Sequence, residues 1–235
     1  YYERLNYAVG ESNEPGSAFK VMSMVAALEA KVIDTSTIVD TGNGKYIIHG
    51  RSINDSHRGG YGKISAARAL EVSSNIGFAR LIEENFSENP NQFIDILKGM
   101  HLNQRLGLPI KGEGKPEIPG PGDKKWSKNA LPSIAYGYNI SLTPLQKMTF
   151  YNAIANNGEM VKPRFVKKIR SWDNHIESFD KEVINPAICS KETVAKVQEM
   201  LKNVVIRGTG KKMFAENFSM AGKTGTARTE YWKKD

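Results

Sequence analysis

The feature that most confines this chain is the apolar run Val21-Met22-Ser23-Met24-Val25-Ala26-Ala27-Leu28, entered through Glu14-Pro15-Gly16-Ser17. Eight residues fall far short of the ~18 needed to cross a bilayer, so the run belongs in a protein core. Val21, Met24, Val25 and Leu28 recur at helical spacing behind a Pro-Gly break, which predicts an amphipathic helix over residues 17–30. The rest of the chain has to cover that helix. With 235 residues, 40% of them hydrophobic, it can do so as one large domain or two small ones, and disorder is excluded.

The remaining elements alternate in type. A short strand is expected over residues 45–49, then a loop over 51–62 broken by Gly59-Gly60-Tyr61-Gly62, then helices over 65–72, 75–84 and 90–98. Residues 109–122 hold four of the ten prolines and four glycines, which reads as a long surface loop. Thr143-Pro144 opens a helix that Gly158 closes, and Ser190 caps another running to about residue 205. Between them, residues 164–171 and 175–179 form a hairpin around Trp172-Asp173-Asn174, and residues 219–227 read as a strand. The mixture is an α/β (α+β) order with no internal repeat and no linker.

Thirty-three Lys and Arg against 25 Asp and Glu give a net charge of +8. Attraction to nucleic acid, anionic lipid or an anionic polymer is one reading, and a solvated basic surface is the other. The lysines occur as scattered pairs (Lys124-Lys125, Lys167-Lys168, Lys211-Lys212), which favours the solvated surface. A lone Cys189 excludes an internal disulfide, and His49, His57, His101 and His175 are too dispersed to suggest a metal site, so no cofactor is expected.

Chemistry concentrates in three short motifs. Ser17-Ala18-Phe19-Lys20 puts a hydroxyl and an amine on one helix face within a turn. Serine becomes a nucleophile when a base takes its proton, and lysine serves as that base once burial or a neighbouring cation makes it neutral. The alternative is a capping serine and a surface lysine. Composition alone yields ~1.7 Ser-x-x-Lys matches. Two occur, and only Ser17 follows Pro-Gly and opens a helix, whereas Ser178…Lys181 trails a hairpin. Ser73-Ser74-Asn75 is one of four Ser-x-Asn matches, set apart by its position in a break between two helices, where it could equally be a capped junction. Lys223-Thr224-Gly225-Thr226 is the sharpest motif, since Lys-Thr-Gly is expected by chance only ~0.09 times. Thr224 and Thr226 alternate with Gly225 so that both hydroxyls can meet a carboxylate beside the Lys223 cation.

The ordered trio resembles the signature of serine β-lactamases and penicillin-binding proteins. The flanks extend the likeness to the transpeptidase domain of class B penicillin-binding proteins: Asn6-Tyr7-Ala8-Val9 before the first motif, Asp55…Gly60-Tyr61-Gly62 and Ile76-Gly77 around the second. Further on, Ala135-Tyr136-Gly137-Tyr138, Leu142-Thr143-Pro144-Leu145-Gln146 and Ala153-Ile154-Ala155-Asn156-Asn157-Gly158 carry it, as do Ala221-Gly222 and Ala227 around the third motif. Glu14 before Pro15-Gly16 is more similar to division-type than elongation-type members, and Ala18 stands where many relatives have threonine.

The resemblance implies a helical subdomain on an antiparallel sheet and a D,D-transpeptidase that cross-links peptidoglycan stem peptides. It assigns Ser17 as nucleophile, Lys20 as base, Ser73 as proton relay, and Asn75 as a contact for the substrate amide and for Lys20. Lys223, Thr224, Gly225 and Thr226 would hold the terminal carboxylate, with the Ser17 and Thr226 N–H groups as oxyanion hole. It further implies acylation by β-lactam antibiotics, no metal, no nucleic-acid partner, and a periplasmic catalytic domain tethered to the bacterial inner membrane among divisome proteins. Because family members have an anchor and pedestal before this region and strands after it, residues 1–235 are expected to be a transpeptidase fragment with an incomplete sheet. A serine β-lactamase, a D,D-carboxypeptidase and a non-catalytic penicillin-binding sensor remain as alternatives. No Glu-x-x-Leu-Asn segment of the class A β-lactamase type is present.

Overall fold

The computed structural model describes residues 5–172 and 174–226. Its elements run in the order α1 (Tyr7–Gly10), a 3-10 turn (Gly16–Phe19), α2 (Lys20–Glu29), β1 (Ile38–Asp40), β2 (Lys45–Ile48), β3 (Arg51–Asn54) and β4 (Lys63–Ser65). Next come α3 (Ala66–Glu71), α4 (Asn75–Phe86), α5 (Pro90–Gly99), α6 (Ala130–Ala135) and α7 (Pro144–Ala155). Strands β5 (Met160–Val161), β6 (Lys168–Ser171), β7 (Asn174–Ser178) and β8 (Val183–Asn185) precede α8 (Lys191–Arg207) and a 3-10 turn (Lys211–Met213).

The core is built around α2. Every residue of this helix from Lys20 to Leu28 is buried, and it packs against α3, α4, α5 and α8. The expected amphipathic helix is therefore covered on all sides. Ser23, Ala26 and Ala27 explain the difference, because their small side chains let neighbours close over the face that an amphipathic helix would show to water. Phe19, Met22, Met24, Phe78, Phe86 and Phe93 fill the surrounding space, with the Phe86 and Phe93 rings 5.2 Å apart. Each such aromatic buried from water contributes roughly 2–3 kcal/mol.

Helix starts follow the caps written in the sequence. Ser65, Ser74, Thr143 and Ser190 each accept an N–H from their own helix's first turn, and Thr143 with Gln146 completes a capping box. Among the described residues the sheets are four separate antiparallel pairs: β1 with β4, β2 with β3, β5 with β8, and β6 with β7. β2 and β3 pair from Lys45↔Asn54 to Ile48↔Arg51 around His49 and Gly50, both with positive φ (45° and 77°). That two-residue turn places a strand where a loop is expected, because His49 adopts a backbone conformation that glycine or asparagine normally signals. The 164–179 hairpin forms as β6 and β7; Asp173 at its turn lies outside the described residues.

Residues 219–226 differ from the expected strand. They pair with no strand among the described residues; Gly222 N–H donates instead to Leu201 O at 3.1 Å, which lays the segment along α8. Ala227, the last residue of that expected strand, is outside the described set.

One contact fixes the approach to α2. Gly16 (φ 55°) donates its N–H to Gly137 O at 2.9 Å, and a Cβ added to Gly137 (φ 93°) would fall 2.0 Å from Gly16 O. Gly137→Ala should therefore destabilise the fold by about 2–4 kcal/mol, combining left-handed strain with a backbone clash. The check is urea unfolding: a midpoint equal to that of the parent chain would contradict this reading.

Candidate active site

Three segments far apart in sequence meet in one cleft of about 490 Å3. Ser17 enters it from the 3-10 turn ahead of α2. Its position is set from both sides. Glu14 accepts the Asn139 N–H at 2.8 Å and Asn13 pairs with Leu142, while Tyr151 of α7 donates its hydroxyl to Ala18 O at 2.9 Å. Burial pushes the Tyr151 phenol far above its usual range, so it stays a neutral donor.

Lys20, the first residue of α2, is wholly buried. Its Nζ lies 3.1 Å from Ser17 Oγ, 2.6 Å from Ser73 O, 3.1 Å from Ser73 Oγ and 2.7 Å from Asn75 Oδ1. An ammonium has three N–H donors and no acceptor, whereas a neutral amine has two donors and one lone pair. The Ser73 carbonyl and the Asn75 carbonyl oxygen only accept, so they take two N–H bonds. In the neutral form the lone pair is then left for the hydroxyls of Ser17 and Ser73. Burial first, and the Lys223 charge second, push Lys20 well below the usual lysine range; Asp55 opposes them.

Ser73 stands between α3 and α4 in the left-handed region (φ 58°). The structure separates the two roles that this junction could play. Ser74 is the cap, accepting Gly77 N–H at 2.8 Å, and Ser73 is turned into the cleft. Asp55 holds the junction: one carboxylate oxygen accepts Asn75 and Ile76 N–H at 2.6 and 3.1 Å, and the other accepts the Ser74 hydroxyl at 2.7 Å. Asn75 Nδ2 donates to Asn54 O at 2.9 Å, which orients its carbonyl oxygen toward Lys20.

Lys223 closes the group. Its Nζ donates to Ser73 Oγ at 2.7 Å and to Thr224 O at 2.9 Å, and partial burial lowers its pKa to about 8. The two lysines thus share one hydroxyl. Gly225 passes close to the turn that carries Ser17, where an added Cβ would lie 3.6 Å from Ala18 N. Thr224, Gly225 and Thr226 line the cleft with Ser17 and Ser73.

All eight residues singled out in the sequence therefore converge here. The other Ser-x-x-Lys match does not: Ser178 meets His175 at 2.5 Å at the end of the exposed β6–β7 hairpin, and Lys181 pairs with Glu159 at 2.8 Å. Sequence reasoning missed Thr209, whose Oγ1 is 2.6 Å from Thr224 Oγ1 on the cleft wall. Its only signal was a Gly-Thr-Gly stretch after the last helix. The structural role of Asp55 was also missed; it was visible merely as a flanking residue.

Comparison with known proteins identifies the family and the fold. The family model described as penicillin binding protein transpeptidase domain matches residues 2–235. The chain is 28% identical over 232 residues to stage V sporulation protein D of Bacillus subtilis, covering 95% of this chain and 34% of that protein. It is 31% identical over 227 residues to peptidoglycan D,D-transpeptidase FtsI of Buchnera aphidicola, covering 95% and 36%. The chain thus spans about a third of the length of the curated relatives it matches. Its fold superposes with a TM-score of 0.79 and 28% identity on penicillin binding protein 3 of Mycobacterium tuberculosis in complex with aztreonam, covering 97% of this chain and 51% of that one.

Replacing Asp55 tests the junction. Asp55→Asn puts an amide where a charged acceptor holds two N–H groups and a hydroxyl, and should cost about 1.5–3 kcal/mol. Thermal unfolding should show a fall of several degrees, and an unchanged melting temperature would show that Asp55 does not hold the junction.

Proposed function

The chain belongs to the penicillin-binding protein transpeptidase family, and from that membership and the site geometry we propose that it carries the catalytic centre of a class B peptidoglycan D,D-transpeptidase. The observation that carries the reading is the placement of a buried lysine amine against both Ser17 and Ser73, with a second lysine on the same Ser73 hydroxyl.

Ser17 gives its proton to the neutral Lys20 amine as its Oγ attacks the carbonyl between the two terminal D-alanines. The Ser17 and Thr226 N–H groups receive the negative charge that develops on the carbonyl oxygen, where one such donor typically supplies ~3–4 kcal/mol. The carbon–nitrogen bond then breaks. The proton held on Lys20 passes through the Ser73 hydroxyl to the departing D-alanine amine, leaving an acyl ester on Ser17. Lys223 with Thr224 and Thr226 holds the terminal carboxylate, and Asn75 contacts the substrate amide. In the second half, an amine from a neighbouring stem gives up a proton along the same path and takes the acyl group.

β-Lactams would acylate Ser17 because they imitate the D-alanyl-D-alanine end. The septal assignment rests on Glu14 before Pro15-Gly16 and on the FtsI and sporulation names of the relatives. An extracytoplasmic catalytic domain, an inner-membrane tether and divisome partners belong to the same proposal. Among the described residues, no helix is long and apolar enough to cross a membrane.

Two measurements test the reading. Ser17→Ala should abolish covalent labelling by a fluorescent penicillin, and labelling that persists would remove Ser17 from its role. With the parent chain, the acylation rate should rise with pH as Lys20 loses its proton. It should fall again above about pH 8, where Lys223 loses the charge that holds the carboxylate. A rate that keeps climbing through pH 9 would contradict the role given to Lys223.

A further inference from the structure

We propose that Glu71 is a positioning residue: by gripping Arg207 it fixes the end of α3 against the end of α8, and so sets the spacing of Ser73 from Lys223. The inference rests on the transpeptidase reading above. Glu71 is the last residue of α3, two before Ser73, and it is fully buried. Its Oε1 accepts Arg207 Nη2 at 2.8 Å, and its Oε2 accepts Arg207 Nε at 3.1 Å and Arg68 Nη1 at 3.0 Å. Arg68 Nη1 also donates to Arg207 O at 3.0 Å, so one guanidinium of α3 spans the carboxylate and the last carbonyl of α8. A buried anion at the C-terminal end of a helix is unfavourable by itself, since the helix dipole there prefers a cation. An apolar side chain would pack α3 on α8 without that penalty. What the carboxylate adds is direction, because its two-pronged contact with a guanidinium holds at one separation and one angle.

Further contacts carry that setting to the cleft. Thr209 N–H donates to Glu71 O at 3.0 Å, and a Cβ on Gly208 would fall 2.3 Å from the same oxygen, so the backbones of the two helix ends touch. Elsewhere on α8, Leu201 O accepts the Gly222 N–H at 3.1 Å, which seats the residue before Lys223. Helix α8 is therefore the rail on which both partners are registered: Ser73 through Glu71 and Arg207, Lys223 through Gly222 and Leu201. Lys223 Nζ and Ser73 Oγ then meet at 2.7 Å. Sliding α3 away by about 1 Å would take that pair beyond hydrogen-bonding distance. Asp55 holds the Ser73 junction from the α4 side, and Glu71 holds it from the α3 side.

Arg207→Gln is the decisive variant, because the Arg207 side chain is 62% exposed and its removal leaves the core closed. Acylation by a fluorescent penicillin is followed against concentration and against pH, below the melting temperature of every variant. Arg207→Gln should lower the limiting acylation rate about ten- to hundredfold, the usual effect of ångström-scale misplacement. The falling limb, set near pH 8 in the parent by the burial of Lys223, should move up toward the ordinary lysine range as water reaches that amine. Glu71→Gln should do the same, and the double variant should be no slower than the slower single one, because either change already breaks the pair. An Arg207→Gln chain that keeps the parent limiting rate, or the parent falling limb, would overturn the inference whatever its melting temperature, leaving Glu71 a structural tie alone. Additive losses in the double variant would overturn it too, by showing that the two residues act separately. Those outcomes leave the transpeptidase reading in place; a parent chain that no penicillin acylates would remove that reading and this inference with it.

Discussion

A primary amine shut away from water sits at the centre of this protein, and burial with a neighbouring cation pushes it toward the uncharged form. Transferring an ammonium into such surroundings costs several kcal/mol even after relaxation, and the nearby Lys223 adds repulsion. The neutral amine avoids both penalties. Its partners match that state, since two of them are pure acceptors and the remaining two are hydroxyls able to donate. Helix α2 accomplishes the burial because its sequence is apolar or small at every position from Val21 to Leu28.

The cleft then follows from how three neighbours approach that amine. The Gly16–Gly137 contact and the Tyr151 hydroxyl set the height of Ser17 above α2. Asp55 braces the α3–α4 junction against the strain of a left-handed Ser73, using the N-terminal N–H groups of α4 as its anchor. The Glu71–Arg207 pair ties the same junction to the end of α8. Each brace is polar and local, and together they fix hydroxyls within hydrogen-bonding distance of two amines.

The trio of motifs that meets in the cleft was legible from the sequence because its residue types are chemically demanding and its local context is distinctive. Ser17 follows Pro-Gly, Ser73 falls in a helix break, and Lys-Thr-Gly is rare at this composition. Helices α7 and α8 were legible through their caps, Thr143 and Ser190, whereas the short α1 and α6 were not expected. What escaped was set by tertiary contact. Strand β3 hides behind a His49-Gly50 turn, and β1, β4, β5 and β8 have two or three residues each, too few to show a period. The expected strand at 219–226 has strand-like composition, yet its described residues find α8 in place of a partner strand. Thr209 carries no pattern of its own; it matters only because α8 delivers it beside Thr224.

The contacts around Lys20 span 53 and 55 residues of sequence, and the Lys223–Ser73 contact spans 150. None of them exists in a chain that has only its local helices. Without these contacts Ser17 would be an ordinary alcohol beside a lysine open to water and free to hold its proton. On the proposed reading, reactivity therefore depends on tertiary contacts that no local helix supplies. On that reading, covalent capture at Ser17 would report completed tertiary assembly as a spectroscopic signal does.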